Sequence, residues 1–123
     1  MRIVALDHVQ LAMPPGSEPE ARVFYKDILG FEEIAKPEPL RLRGGCWFTS
    51  ADAEVHLGIE EDFHPARKAH PAFRVSDIDA LEKLLVAKGF MVTPDTSLLP
   101  IRRFYVSDPF GNRIEFLQHE DAF

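Results

Sequence analysis

The 123-residue chain repeats itself. The segment 26–31 (KDILGF) reappears as 86–90 (VAKGF), each reading as the end of a helix stopped by glycine. His56 lies 26 residues after Gly30, and Glu115 lies 26 residues after Gly89 (30 to 56, 89 to 115). A further histidine opens each half, His8 in the first and His70 in the second. Matching spacing of side chains that can bind metal is more specific than any one of them. It confines the fold to two copies of one supersecondary unit.

Hydrophobic periodicity supplies the unit. Residues 7–13 alternate, with Val9, Leu11 and Met13 on one face and His8, Gln10 and Ala12 on the other. After a Pro-Pro-Gly loop, 18–29 reads as a helix with Ser17 as N-cap, Pro19 in its first turn, and Val23, Phe24 and Ile28 turned inward. Strands follow at 31–34, at 46–50, and where Val55, Leu57 and Ile59 alternate with Glu54, His56 and Gly58. The second half gives a strand at 69–75 and a helix at 78–88 capped by Ser76 or Asp77, with Leu81, Leu84 and Leu85 inward. Strands at 91–93 and 103–107, a turn at 108–112 and a strand at 113–118 complete it. The expected fold is α+β: two tandem βαβββ modules forming curled mixed sheets around a metal or substrate cleft. A single domain, 1–123, would hold half-repeats at about 1–60 and 69–120, joined by a polar linker at 60–68.

Charge and cysteine usage remove several function classes. A formal charge of −6 and a pI near 5.3 argue against nucleic acid as partner, because binders of a phosphate backbone carry a basic face. Cys46 is the sole cysteine, which rules out an intramolecular disulfide and a zinc-thiolate cluster. No apolar run approaches the ~20 residues of a membrane helix, and the N-terminus lacks the apolar stretch of a secretory signal. A cytoplasmic location and no membrane partner are expected. Ten phenylalanines point to an aromatic core or an apolar pocket.

Leu6-Asp7-His8-Val9, Phe24-Tyr25 through Leu29-Gly30-Phe31, His70, and the closing run from Phe104 through Asp108-Pro109-Phe110-Gly111-Asn112 to Glu115-Phe116 together resemble the vicinal oxygen chelate superfamily. That superfamily includes glyoxalase, methylmalonyl-CoA epimerase, extradiol dioxygenases, and the fosfomycin and bleomycin resistance proteins. The resemblance implies one divalent metal ion (zinc, nickel, iron, cobalt or manganese) bound by His8, His56, His70 and Glu115. His56, either a ligand or a donor to the substrate, stands where glyoxalase has Glu and the epimerase has Gln. The activity implied is a glyoxalase-like lyase or isomerase acting on a small oxygen-chelating substrate. It would work through a metal-stabilised enediolate-type intermediate, with Glu115 as the base. The alternatives are an extradiol-type iron dioxygenase using His8, His70 and Glu115, or a resistance or small-molecule-binding protein of fosfomycin or bleomycin type. A homodimer is expected, because each half-repeat leaves strand edges to be covered. Halves paired across chains would set His8 and His56 of one subunit against His70 and Glu115 of the other.

Strand parity nominates the remaining pocket residues. Gln10 shares a face with His8, and Arg103 shares one with Tyr105. Cys46 and Phe48 alternate with Trp47 and Thr49, so one pair faces the substrate. Trp47 and Phe48 are therefore both candidates for substrate binding, alongside Gln10, Arg103 and Tyr105. Arg103 is the arginine best placed to grip an anionic group, since its strand neighbours that of Glu115.

Overall fold

The structure, a computed structural model, describes residues 1–119. The end of the second half-repeat, placed at 120, lies outside the described residues. The chain divides into two compact units, Met1–His64 and the remainder from Pro65.

In the first unit β1 (Val9–Met13) leads into α1 (Glu18–Ala21), which passes without a break into a π-helical stretch, Arg22–Ile28. Next come β2 (Glu32–Ile34), a 3-10 helix at Glu38–Arg43, β3 (Cys46–Ser50) and β4 (Ala53–Ile59). The sheet runs β1-β4-β3-β2, with β1 parallel to β4 and the other pairs antiparallel. The second unit repeats this order. It has β5 (Ala72–Arg74), α2 (Ile78–Ala87), β6 (Thr93–Asp95), β7 (Arg102–Ser107) and β8 (Arg113–Gln118), in a sheet ordered β5-β8-β7-β6 with β5 parallel to β8. Both sheets are mixed and curled without closing, and the fold is α+β as expected.

Several local expectations are corrected. The first helix is not a uniform α-helix: the Leu29 amide donates to the Phe24 carbonyl five residues back. The wider turn rotates the buried face, so Phe24 and Tyr25 are enclosed while Val23 is 52% exposed. Ser17 stands at the N-cap but its side chain caps nothing; its carbonyl accepts from the Ala21 amide. In α2, Asp77 is the cap, accepting from the Ala80 amide, and the buried positions are Ile78 and Leu85, with Leu84 turned outward. The strand expected at 69–75 begins only at Ala72, because Pro71 has no N–H to give to a ladder. The strand expected at 91–93 is displaced to Thr93–Asp95. Pro94 is tolerated there because β6 is an edge strand.

The cores follow strand parity. In the first unit Cys46, Phe48, Val55 and Leu57 are buried together with Phe24, Tyr25 and Phe31. In the second, Phe104, Val106, Ile114 and Phe116 are buried with Ile78 and Leu85. The opposite faces carry the chemistry. At the mouth of β3, Gly45 has φ +86, and a Cβ there would meet the Leu57 carbonyl oxygen at 2.3 Å, so only glycine fits. Its amide donates to Glu18 at 2.9 Å, which ties α1 to the sheet and holds the Glu18 carboxyl below its ordinary pKa.

Candidate functional site

The repeat is exact in register. Gln10 on β1 and Trp47 on β3 flank His56 on β4; Ala72 on β5 and Tyr105 on β7 flank Glu115 on β8. His8 stands two residues before Gln10, as His70 stands two before Ala72, so both histidines precede their strands. The four residues that the sequence singles out as ligands thus occupy equivalent places, two in each unit.

In the second unit His70 and Glu115 meet. His70 Nε2 lies 3.0 Å from Glu115 Oε1, and His70 Nδ1 lies 2.8 Å from the Lys68 carbonyl oxygen. A carbonyl only accepts, so Nδ1 donates to it, and Nε2 faces the carboxylate across a gap that either a proton or a divalent ion would bridge. Two donors about 2.1 Å from one ion and at a right angle to each other stand about 3.0 Å apart. The pair fits a divalent ion in separation, tautomer and donor type. Among the described residues no group of three or more His, Cys, Asp or Glu is gathered as a metal cage.

Glu115 Oε2 is held by Arg103, whose Nη1 donates to it at 3.2 Å and to Tyr105 Oη at 3.1 Å. Nη2 of the same guanidinium donates to Asp95 at 2.9 Å and to Ser97 at 3.0 Å. Burial works against its charge, but the hydrogen bond to Glu115 and the charge of Asp95 raise its pKa above the ordinary value. Arg103, expected to grip substrate, is thus engaged by its own unit. Arg113 stacks its guanidinium 4.0 Å from the Tyr105 ring centre, and His70 meets that ring edge-on at 5.3 Å.

In the first unit His8 and His56 stack, ring centres 4.1 Å apart and planes 16° apart. His56 stacks on its other side against Trp47, at 3.8 Å and 3°. His56 Nε2 lies 2.7 Å from Glu54 Oε2, and His8 Nδ1 lies 2.9 Å from Asp7 Oδ2. The alternation on β3 resolves in favour of Trp47, which shares the face of His56. Phe48 is corrected from a substrate contact to a core residue, fully enclosed and stacked on Tyr25 at 5.6 Å. Gln10 pairs with His56 across the ladder and leans over Gly58, where a Cβ would meet its Nε2 at 2.3 Å.

Glu54, Arg113, Asp95 and Asp7 were not singled out in the sequence. The period-two rule that selects Gln10 would also have found Glu54 and Arg113, each two residues before a candidate ligand. No sequence signal marks the Lys68 carbonyl or the grip of Asp95 on Arg103.

A βαβββ unit used twice, with a histidine before each first strand and a polar residue at the centre of each last one, is the signature of one fold class. Residues 5–116 match the model of the Glyoxalase/Bleomycin resistance protein/Dioxygenase superfamily, and the chain belongs to it. A glyoxalase family protein from Bacillus anthracis is 51% identical, with 98% of each chain covered and a TM-score of 0.94. An antibiotic-binding protein from a Streptomyces species is 25% identical over 96% of this chain and 98% of that one, at a TM-score of 0.70. The fosfomycin resistance protein FosX from Listeria monocytogenes shares the fold at 18% identity, over 98% of this chain and 97% of that one, at a TM-score of 0.76. No curated protein matches the sequence. Among the described residues no helix is long and apolar enough to cross a membrane.

Proposed function

We propose that the chain is a glyoxalase-like metal-dependent lyase or isomerase acting on a small substrate that chelates through neighbouring oxygens. The observation that carries this reading is the His70–Glu115 pair, with the His70 tautomer set by Lys68 and Oε1 at 3.0 Å from Nε2. His70 and Glu115 would hold a divalent ion that supplies Lewis acidity to the substrate oxygens, and the sequence nominates His8 as a further ligand. Once its Oε1 leaves the ion, Glu115 takes the proton from the carbon beside those oxygens and returns it to the neighbouring carbon, a role worth about 10²–10⁴-fold in rate. Arg103 keeps the carboxylate aimed by holding Oε2. Tyr105 accepts from Arg103, which leaves its own hydroxyl hydrogen available to a substrate oxygen.

The test is metal binding to protein purified without added metal, followed by turnover of hemithioacetals. One divalent metal ion per active site is expected, with affinity lost in His70→Ala and turnover lost in Glu115→Gln. If wild-type protein binds no divalent metal at pH 8, the lyase reading fails. The second reading, a resistance protein that sequesters an anionic antibiotic without a metal, then takes its place. It is favoured by the cationic Arg113 seated on the Tyr105 ring.

A further inference from the structure

We infer that His56 is not a metal ligand but the positioning residue that holds His8 in place, the middle ring of a stack anchored on Trp47. This rests on the proposed function only in taking His8 as a ligand. By register His56 is the counterpart of Glu115, so the repeat alone would give it the same job. Its surroundings assign it another. His56 is 4% exposed, and its ring lies flat between Trp47 and His8, with 3.8 Å and 4.1 Å between centres. Its Nε2 lies 2.7 Å from the Glu54 carboxylate, a hydrogen-bond distance shorter than the 3.0 Å of the His70–Glu115 pair and closer than two ligands of one ion stand.

His8 needs such a support. It precedes β1, so no ladder hydrogen bond fixes it, and its side chain is 39% exposed. The Asp7 carboxylate at Nδ1 and the face of His56 hold it. Asp7 accepts at Nδ1, leaving the Nε2 lone pair for a ligand, as the Lys68 carbonyl does for His70. The two opening histidines are thus prepared alike. The residue at the centre of each last strand differs in kind: Glu115 brings charge, and His56 brings a flat surface.

The experiment compares wild type, His8→Ala, His56→Phe and His56→Ala by zinc competition titration and by proton NMR of the His8 ring. Phenylalanine keeps the flat ring and cannot ligate. His56→Phe should keep zinc affinity within about threefold, whereas His56→Ala should lose about 10–100-fold, the range for a residue supporting a ligand. His8 ring protons should lie upfield in wild type and in His56→Phe, shielded by the stacked ring, and return to unstacked positions in His56→Ala. A His56→Phe variant that loses zinc as fully as His8→Ala would overturn the inference. So would unshifted His8 protons in the wild-type protein, a result that needs no variant to fold. If wild type binds no zinc, the metal reading falls, and the NMR shifts still decide the stack.

Discussion

Phe48 tests the division between core and pocket. The side chain is fully enclosed and stacks on Tyr25, which in turn meets Phe24 and Phe31 edge-on. Truncation to alanine removes a phenyl ring from a close-packed site, at a cost of about 3–5 kcal/mol. Loss of the ring pair is worth about 0.5–1.5 kcal/mol beyond area burial, so the upper half of that range is expected. With a urea m-value of about 2 kcal/mol/M, the midpoint should fall by about 2 M. Trp47, the only tryptophan, is the neighbouring residue on the same strand and faces the other way, so its emission reports unfolding of this unit directly. Phe48→Leu should retain most of the stability. A loss below about 1 kcal/mol for Phe48→Ala, the scale of an ordinary surface or pocket substitution, would refute the core assignment.

Burial first, and the Glu33 charge second, push the Cys46 thiol from 9.0 up to about 11. Native protein should therefore resist aromatic disulfide reagents at pH 8 and react with one equivalent in urea. Between pH 9 and 11 the unfolded chain has lost this proton while the native one keeps it, so stability should fall as pH rises, and Cys46→Ala should flatten that slope in urea melts. We also propose a homodimer, since β1 and β2, and β5 and β6, are the outer strands of their sheets. Sedimentation at micromolar concentration should give twice the chain mass, and a monomeric mass would end that proposal.

Residue spacing and period-two alternation were enough for the architecture. They establish the repeat from Gly30 to His56 and from Gly89 to Glu115, the order of the elements, and the faces on which Gln10, Arg103, Tyr105 and Glu115 lie, because side-chain direction on a strand is a local property. Element ends were less legible. The ladder partner decides where a strand starts, which moved the strand before α2 past His70 and Pro71. The π-helical stretch was hidden because i+5 hydrogen bonds change the buried face without changing the sequence pattern. Which of Trp47 and Phe48 meets the core depended on the helix packed behind β3. What His56 and Arg103 touch was decided by tertiary structure alone. Histidine and arginine each have several partners within reach of their type, and only the neighbouring strands supply Trp47 and His8 to one and Asp95 and Glu115 to the other. The sequence determined which side chains share a surface; the folded chain determined which of them are already occupied by one another.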